Sequence, residues 1–196
     1  MVVLEDFWTL QDNTYVARFD KHNGEFIKER LALARQYKDS RFINSVHDAI
    51  HRKWEGKYMK DTVCEPLEVQ YKRDKVTMEG MEMFNKNIML QGTNSVSFMG
   101  IGSGTSVTYA NQQALQSEVA RASILDSGFL NAEGLFLLWD NIFDILVPSF
   151  ACSEVGIFNS LTGGTMAARA VLGAPVQHDY GNDYLYVQFF IATMSS

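Results

Sequence analysis

Ser97-Phe98-Met99-Gly100-Ile101-Gly102-Ser103-Gly104-Thr105 reads as an apolar strand that breaks into a glycine-rich turn. The chain after it keeps to extended segments. Leu115-Gln116-Ser117-Glu118-Val119-Ala120-Arg121 gives a Leu-x-x-Glu-x-x-Arg frame. The run from Gly134 to Phe150 alternates, with Leu135, Leu137, Trp139, Asn141 and Phe143 on one face and Phe136, Leu138, Asp140 and Ile142 on the other. Both faces are partly apolar, which predicts burial on both sides, in a sandwich or in an oligomer. Asp140-Asn141 also reads as a hairpin turn that would split this run. Glu154-Val155-Gly156-Ile157-Phe158 follows, and Tyr184 to Ala192 is the clearest strand of all, preceded by a strong turn at Asp179–Asp183. The expected fold is mainly β with an N-terminal helical segment: an antiparallel, jelly-roll-like β-sandwich.

Upstream the pattern changes. Phe7–Leu10 and Thr14–Phe19 read as short strands or an arm, and His22-Asn23-Gly24 reads as a turn. From Glu25 to about Met59 the period is helical, with Phe26, Ile27, Leu31, Ala34 and Tyr37 in a first stretch. A break at Asp39-Ser40 precedes a second stretch, with Phe42, Val46, Ala49, Ile50 and Trp54 on one face, and Gly56 is placed to cap it. Pro66 ends helix, and Leu67–Tyr71 alternates like an edge strand. Met78, Met81 and Met83 show no period and read as packing.

Charge steps along the same boundary. Residues 18–75 carry fourteen Lys/Arg against ten Asp/Glu, whereas only Lys86, Arg121 and Arg169 oppose ten acids from residue 76 onward. The step predicts an arm and helical segment over 1–62 and a β-sandwich domain over 63–196. Basic residues interleaved with acids on a helix make a solvated face, not a nucleic-acid footprint. A hydrophobic content of 46% supplies a sizeable core. Residues 1–6 lack the basic and apolar regions of a signal peptide, and no apolar run reaches the ~18 residues of a membrane helix. Cys64 and Cys152 are isolated, without a metal or redox spacing, so free thiols in a reducing compartment are expected, with a single bridge between them left open.

Motifs for chemistry are incomplete. In Gly100–Thr105 the third glycine comes one residue too early for a dinucleotide fingerprint, and no Lys precedes a Ser/Thr as a P-loop requires. His47 and His51 stand at metal-competent i, i+4 spacing, but Asp48 replaces the Glu of a zinc-protease motif and no third ligand is near, so they read as surface histidines. Glu118 and Arg121, and Glu154 and Arg169, are charges in apolar surroundings. Either carboxylate has the chemistry of a general acid, but charges in such surroundings need partners, and the pairs Glu118–Arg121 and Glu154–Arg169 read as structural ion pairs locking loops to the sheet. Cys152 has no evident base, and no catalytic, cofactor or metal residues are assigned.

The order glycine turn, Leu115-x-x-Glu118-x-x-Arg121, Glu154-x-Gly156-x-Phe158, Ala167-Ala168-Arg169 and an alternating last strand resembles a recurring domain of tailed-bacteriophage virion proteins. The resemblance covers about half of the chain. It implies a non-enzymatic structural component of the virion tail, collar, baseplate or fibre, made in the host cytoplasm and assembled with itself as a ring or trimer and with neighbouring virion proteins. A capsid-decoration or fibre-anchoring protein is the nearest alternative. Phe7, Trp8 and Trp54 are the expected interface anchors, since large aromatics dominate interfaces. A different class, a carbohydrate-binding sandwich, would use Tyr180, Tyr184 and Tyr186 for stacking, with Asp179, Asn182 and Asp183 as polar groups.

Overall fold

The computed structural model of the chain describes residues 9–37, 40–57, 64–75, 95–108, 111–129, 136–144 and 146–194. The elements are β1 (Thr9–Asp20), α1 (Lys21–Gln36), α2 (Ser40–Trp54), β2 (Glu68–Lys75), β3 (Phe98–Gly102), β4 (Glu118–Ser123), β5 (Asp126–Phe129), β6 (Phe136–Phe143), β7 (Phe150–Phe158), β8 (Met166–His178) and β9 (Asp183–Met194). They form a five-stranded sheet in the order β2-β1-β9-β6-β5 and a four-stranded sheet in the order β4-β3-β7-β8. All the pairings are antiparallel. The protein is therefore an antiparallel β-sandwich carrying a helical segment near its start.

The two-residue period of β9 explains three layers at once. Leu185, Val187 and Phe189 point into the core between the sheets, with Val16, Trp139, Phe143, Met99, Ile101, Val155 and Ile157. Tyr184 and Tyr186 point the other way, into a second core with Ala17, Phe19 and Ile142, capped by Ile27, Leu31, Val46 and Ile50 of the two helices. The apolar character of both faces of β6 is thus satisfied within one molecule: one face meets the second sheet, the other the helices. Asp140 and Asn141 lie in mid-strand, both buried, and make no hairpin.

The residues 1–62 and 63–196 do not separate into an arm and a sandwich. β1 pairs with β9 from Thr9↔Met194 to Asp20↔Asp183, and with β2 on its other side. Thr14–Phe19 is the middle of one long central strand. His22-Asn23-Gly24 is helix, not turn. Asp20 is the N-cap, its Oδ1 accepting from Asn23 N at 2.9 Å. Gly24 is buried against the Tyr184 ring, which a Cβ would strike. At the other end of the hairpin, Gly56 (φ 67°) sends its N–H to Lys53 O at 3.1 Å and Lys57 N–H reaches Arg52 O at 3.0 Å, a Schellman cap. β2 is an edge strand of its sheet, as the Leu67–Tyr71 pattern predicts, and lies alongside β8 of the other sheet. Met78, Met81 and Met83 lie outside the described residues.

Candidate functional site

The residues of the glycine turn, the Leu-x-x-Glu-x-x-Arg frame and the Glu-x-Gly-x-Phe run converge on the outer face of the four-stranded sheet. A bulge between Cys152 and Glu154 shifts the phase of β7. Cys152, Val155 and Ile157 then face the core. Glu154, Gly156 and Phe158 face outward, where the segment after the glycine turn folds back over them.

Glu154 is the fixed point of that segment. Its Oε1 accepts from Gly104 N at 3.0 Å and Ser117 N at 2.7 Å. Its Oε2 accepts from Gln116 N at 3.0 Å and from Arg169 Nε at 2.8 Å, with Arg169 Nη2 also at 2.8 Å. Arg169 Nη1 donates to Ser106 O and to Gln112 Oε1, each at 3.0 Å. Both residues have 0% exposure. A buried ion pair is tolerable only when most of its remaining hydrogen-bonding capacity is met. Here the backbone of Gly104, Ser106, Gln116 and Ser117 and the Gln112 side chain meet it, except at Arg169 Nη2, which has the ion-pair contact but no hydrogen bond. Gln116 adds a second staple, its Oε1 accepting from Thr105 N and Ser106 N and from Ser106 Oγ at 2.7 Å.

The glycines make room for this clamp. A Cβ on Gly104 would stand 2.5 Å from Glu154 Oε1, and one on Gly102 would run into the Ser117 carbonyl oxygen. Gly100 and Gly156 leave a hollow filled by Leu115: a Cβ there would approach its methyls at 3.2 and 3.0 Å. Leu115, Phe158 and Met166 form a small third core with Phe98. The glycine-rich turn thus cradles a carboxylate of its own chain, not a phosphate.

Glu118 and Arg121 close the other side. Arg121 donates from Nε to Glu118 Oε1 at 2.9 Å and from Nη2 to Oε2 at 2.6 Å, a two-pronged pair. Its Nη1 donates to Ser160 O and Gly163 O, both at 2.9 Å, holding the β7–β8 loop. Its guanidinium lies 3.5 Å from the centre of the Phe158 ring. The structure therefore brings all four charged motif residues to one face, as two ion pairs with loops tied to both.

The remaining expectations fall elsewhere. Trp54 ends α2, 45% exposed, with its ring 5.8 Å from Tyr71. Phe7 and Trp8 lie outside the described residues. Tyr184 and Tyr186 are buried under the helices and cannot offer stacking faces to a sugar; Tyr180 alone of the three is exposed. The pairing of His47 and His51 is also different from the expected surface arrangement. His47 is buried, its Nε2 2.9 Å from Asp140 Oδ2 and 3.1 Å from Tyr186 Oη. His51 Nε2 is 3.0 Å from Gln188 Oε1, and its ring stacks on Tyr15. This polar seam between α2 and the five-stranded sheet had a readable signal: an aspartate inside an apolar strand requires a partner, and the i, i+4 histidines supply one.

Both cysteines are free and buried. Burial pushes the Cys152 thiol up to about 12 and the Cys64 thiol up to about 11, the opposite of an activated nucleophile. Among the described residues no three His, Cys, Asp or Glu side chains cluster closely enough to hold a metal ion, and no helix is long and apolar enough to cross a membrane. Comparison with protein-family models, with curated proteins and with solved structures gives no match.

Proposed function

We propose that the chain is a structural component of a tailed-bacteriophage virion, assembling with copies of itself and with neighbouring tail, collar or baseplate proteins, and that it catalyses no reaction. The observation that carries this reading is the commitment of Glu154. The most buried carboxylate of the motif has its oxygens occupied by three backbone N–H groups and a guanidinium, all of this same chain. A general acid needs a proton-transfer path to a substrate; this carboxylate instead fixes a loop. The motif order that resembles the virion domain is then a recipe for a locked surface, which a particle component requires.

Size-exclusion chromatography with light scattering, followed by gold labelling of a tagged copy on purified particles, tests the proposal. Self-association in solution and label at a fixed position on the particle are expected. A monomer absent from particles would refute it. Label on the capsid or at a fibre base would select the decoration or anchoring alternative.

A further inference from the structure

The tip of the helical hairpin is exposed and carries the guanidinium of Arg30. Arg30, Leu33, Ala34, Tyr37 and Phe42 line an open groove of about 220 Å³ between α1 and α2. Leu33 is 44% and Tyr37 72% exposed, high values for apolar groups beside one another. The Arg30 guanidinium lies over the rings of Phe26 and Phe42 at 6.0 and 5.6 Å, and among the described residues no carboxylate pairs with it. Residues 21–54 hold eight Lys/Arg against four Asp/Glu in a chain whose net charge is -6. The hairpin is thus a basic, partly apolar prominence on an acidic protein.

The sequence contains a segment with complementary chemistry: Val2-Val3-Leu4-Glu5-Asp6-Phe7-Trp8 joins two carboxylates to aliphatic and aromatic groups. We propose that this segment of a second copy docks in the groove, with Glu5 or Asp6 on Arg30 and Leu4 or Phe7 among Leu33, Ala34 and Phe42. The reach of the chain points to a second copy. Lys28, two residues before Arg30, pairs with Asp144, just beyond Phe143, which faces Leu185 at the Asp20 end of the five-stranded sheet. Thr9 is at the opposite end of β1, about 37 Å away at strand rise. Eight extended residues span at most about 28 Å. One groove is too small to hold a dimer, so the exchange is reciprocal, two grooves filled about a two-fold axis or one per copy around a ring.

The inference rests on the self-association in the proposed function, and charge reversal separates the two. In light scattering of the full chain, Arg30→Glu and the double change Glu5→Lys/Asp6→Lys are each expected to weaken association about tenfold, with unchanged circular dichroism. Mixing the two variants restores both matches in a mixed pair, reversed groove on reversed segment and native groove on native segment, and should recover mass that neither reaches alone. Leu33→Glu should weaken association without being rescued by the mixture. Oligomers indifferent to all three changes would overturn the docking while leaving the assembly reading intact. A wild-type chain that stays monomeric would overturn both.

Discussion

Replacing Glu154 with Gln keeps shape and removes charge, so it isolates what the clamp does. The amide can present an oxygen at only one of the two carboxylate positions. With its nitrogen at Oε1 it faces the N–H groups of Gly104 and Ser117; at Oε2 it faces Gln116 N and Arg169. Either way two donors lose their acceptor. The Arg169 guanidinium is also left buried without its counter-charge. Breaking one side of a buried pair costs about 3–5 kcal/mol. At roughly 2–4 °C per kcal/mol for a domain of this size, melting should fall by about 6–20 °C. Thermal and urea unfolding of wild type, Glu154→Gln, Arg169→Met and the double variant measure this. The double variant should lose less than the sum of the singles by about 2 kcal/mol, since removing both partners leaves no orphaned charge. A single-variant loss below about 1 kcal/mol, or simple additivity, would refute the clamp as the element that fixes the loop.

Gly102→Ala should cost about 1–3 kcal/mol, because its Cβ meets the Ser117 carbonyl of a fixed backbone, whereas Gly173→Ala, with nothing within 4 Å, should leave the melting temperature within a degree or two of wild type. His47→Leu leaves the Asp140 carboxylate buried without its partner and should lower stability by about 3 kcal/mol, read by urea unfolding; His47→Leu with Asp140→Leu should recover part of it. Thiol titration at pH 8 should find both cysteines unreactive in the native protein and both reactive in urea. Because burial raises Cys152 from 9.0 to about 12, its contribution to stability is complete below pH 9 and is lost as pH rises from about 9 toward 12. Cys152→Ala should flatten that alkaline decline in a pH series of melts.

The strands after Ser95 were legible because period-two alternation survives whether a face meets a sheet or a helix. What covers each face was not. Tyr184 and Tyr186 look like surface aromatics in sequence, and only the docking of Ile27, Leu31, Val46 and Ile50 shows them to be core. β1 was obscured for a related reason: its main neighbour, β9, is at the far end of the sequence, and no local pattern encodes such a pairing. His22-Asn23-Gly24 has turn composition, but the Asp20 cap and the Tyr184 ring override it. The Glu154–Arg169 and Glu118–Arg121 pairs were within reach because isolated charges in apolar runs demand partners. The backbone N–H groups that complete the first pair leave no side-chain signature, apart from the glycines that admit them.

The position of β1 between β2 and β9 has a consequence for biosynthesis. β1 leaves the ribosome long before β9, so one whole side of its hydrogen-bonding ladder waits for Asp183–Met194. Until then the helical hairpin has only part of its floor, since Tyr184 and Tyr186 belong to that late strand. Closure over so long a loop is slow, and the nascent chain must meanwhile keep an open ribbon edge from pairing with others. Truncation before residue 183 should therefore yield insoluble chains in cells, and chaperones acting on the growing polypeptide would determine how much folded protein is produced.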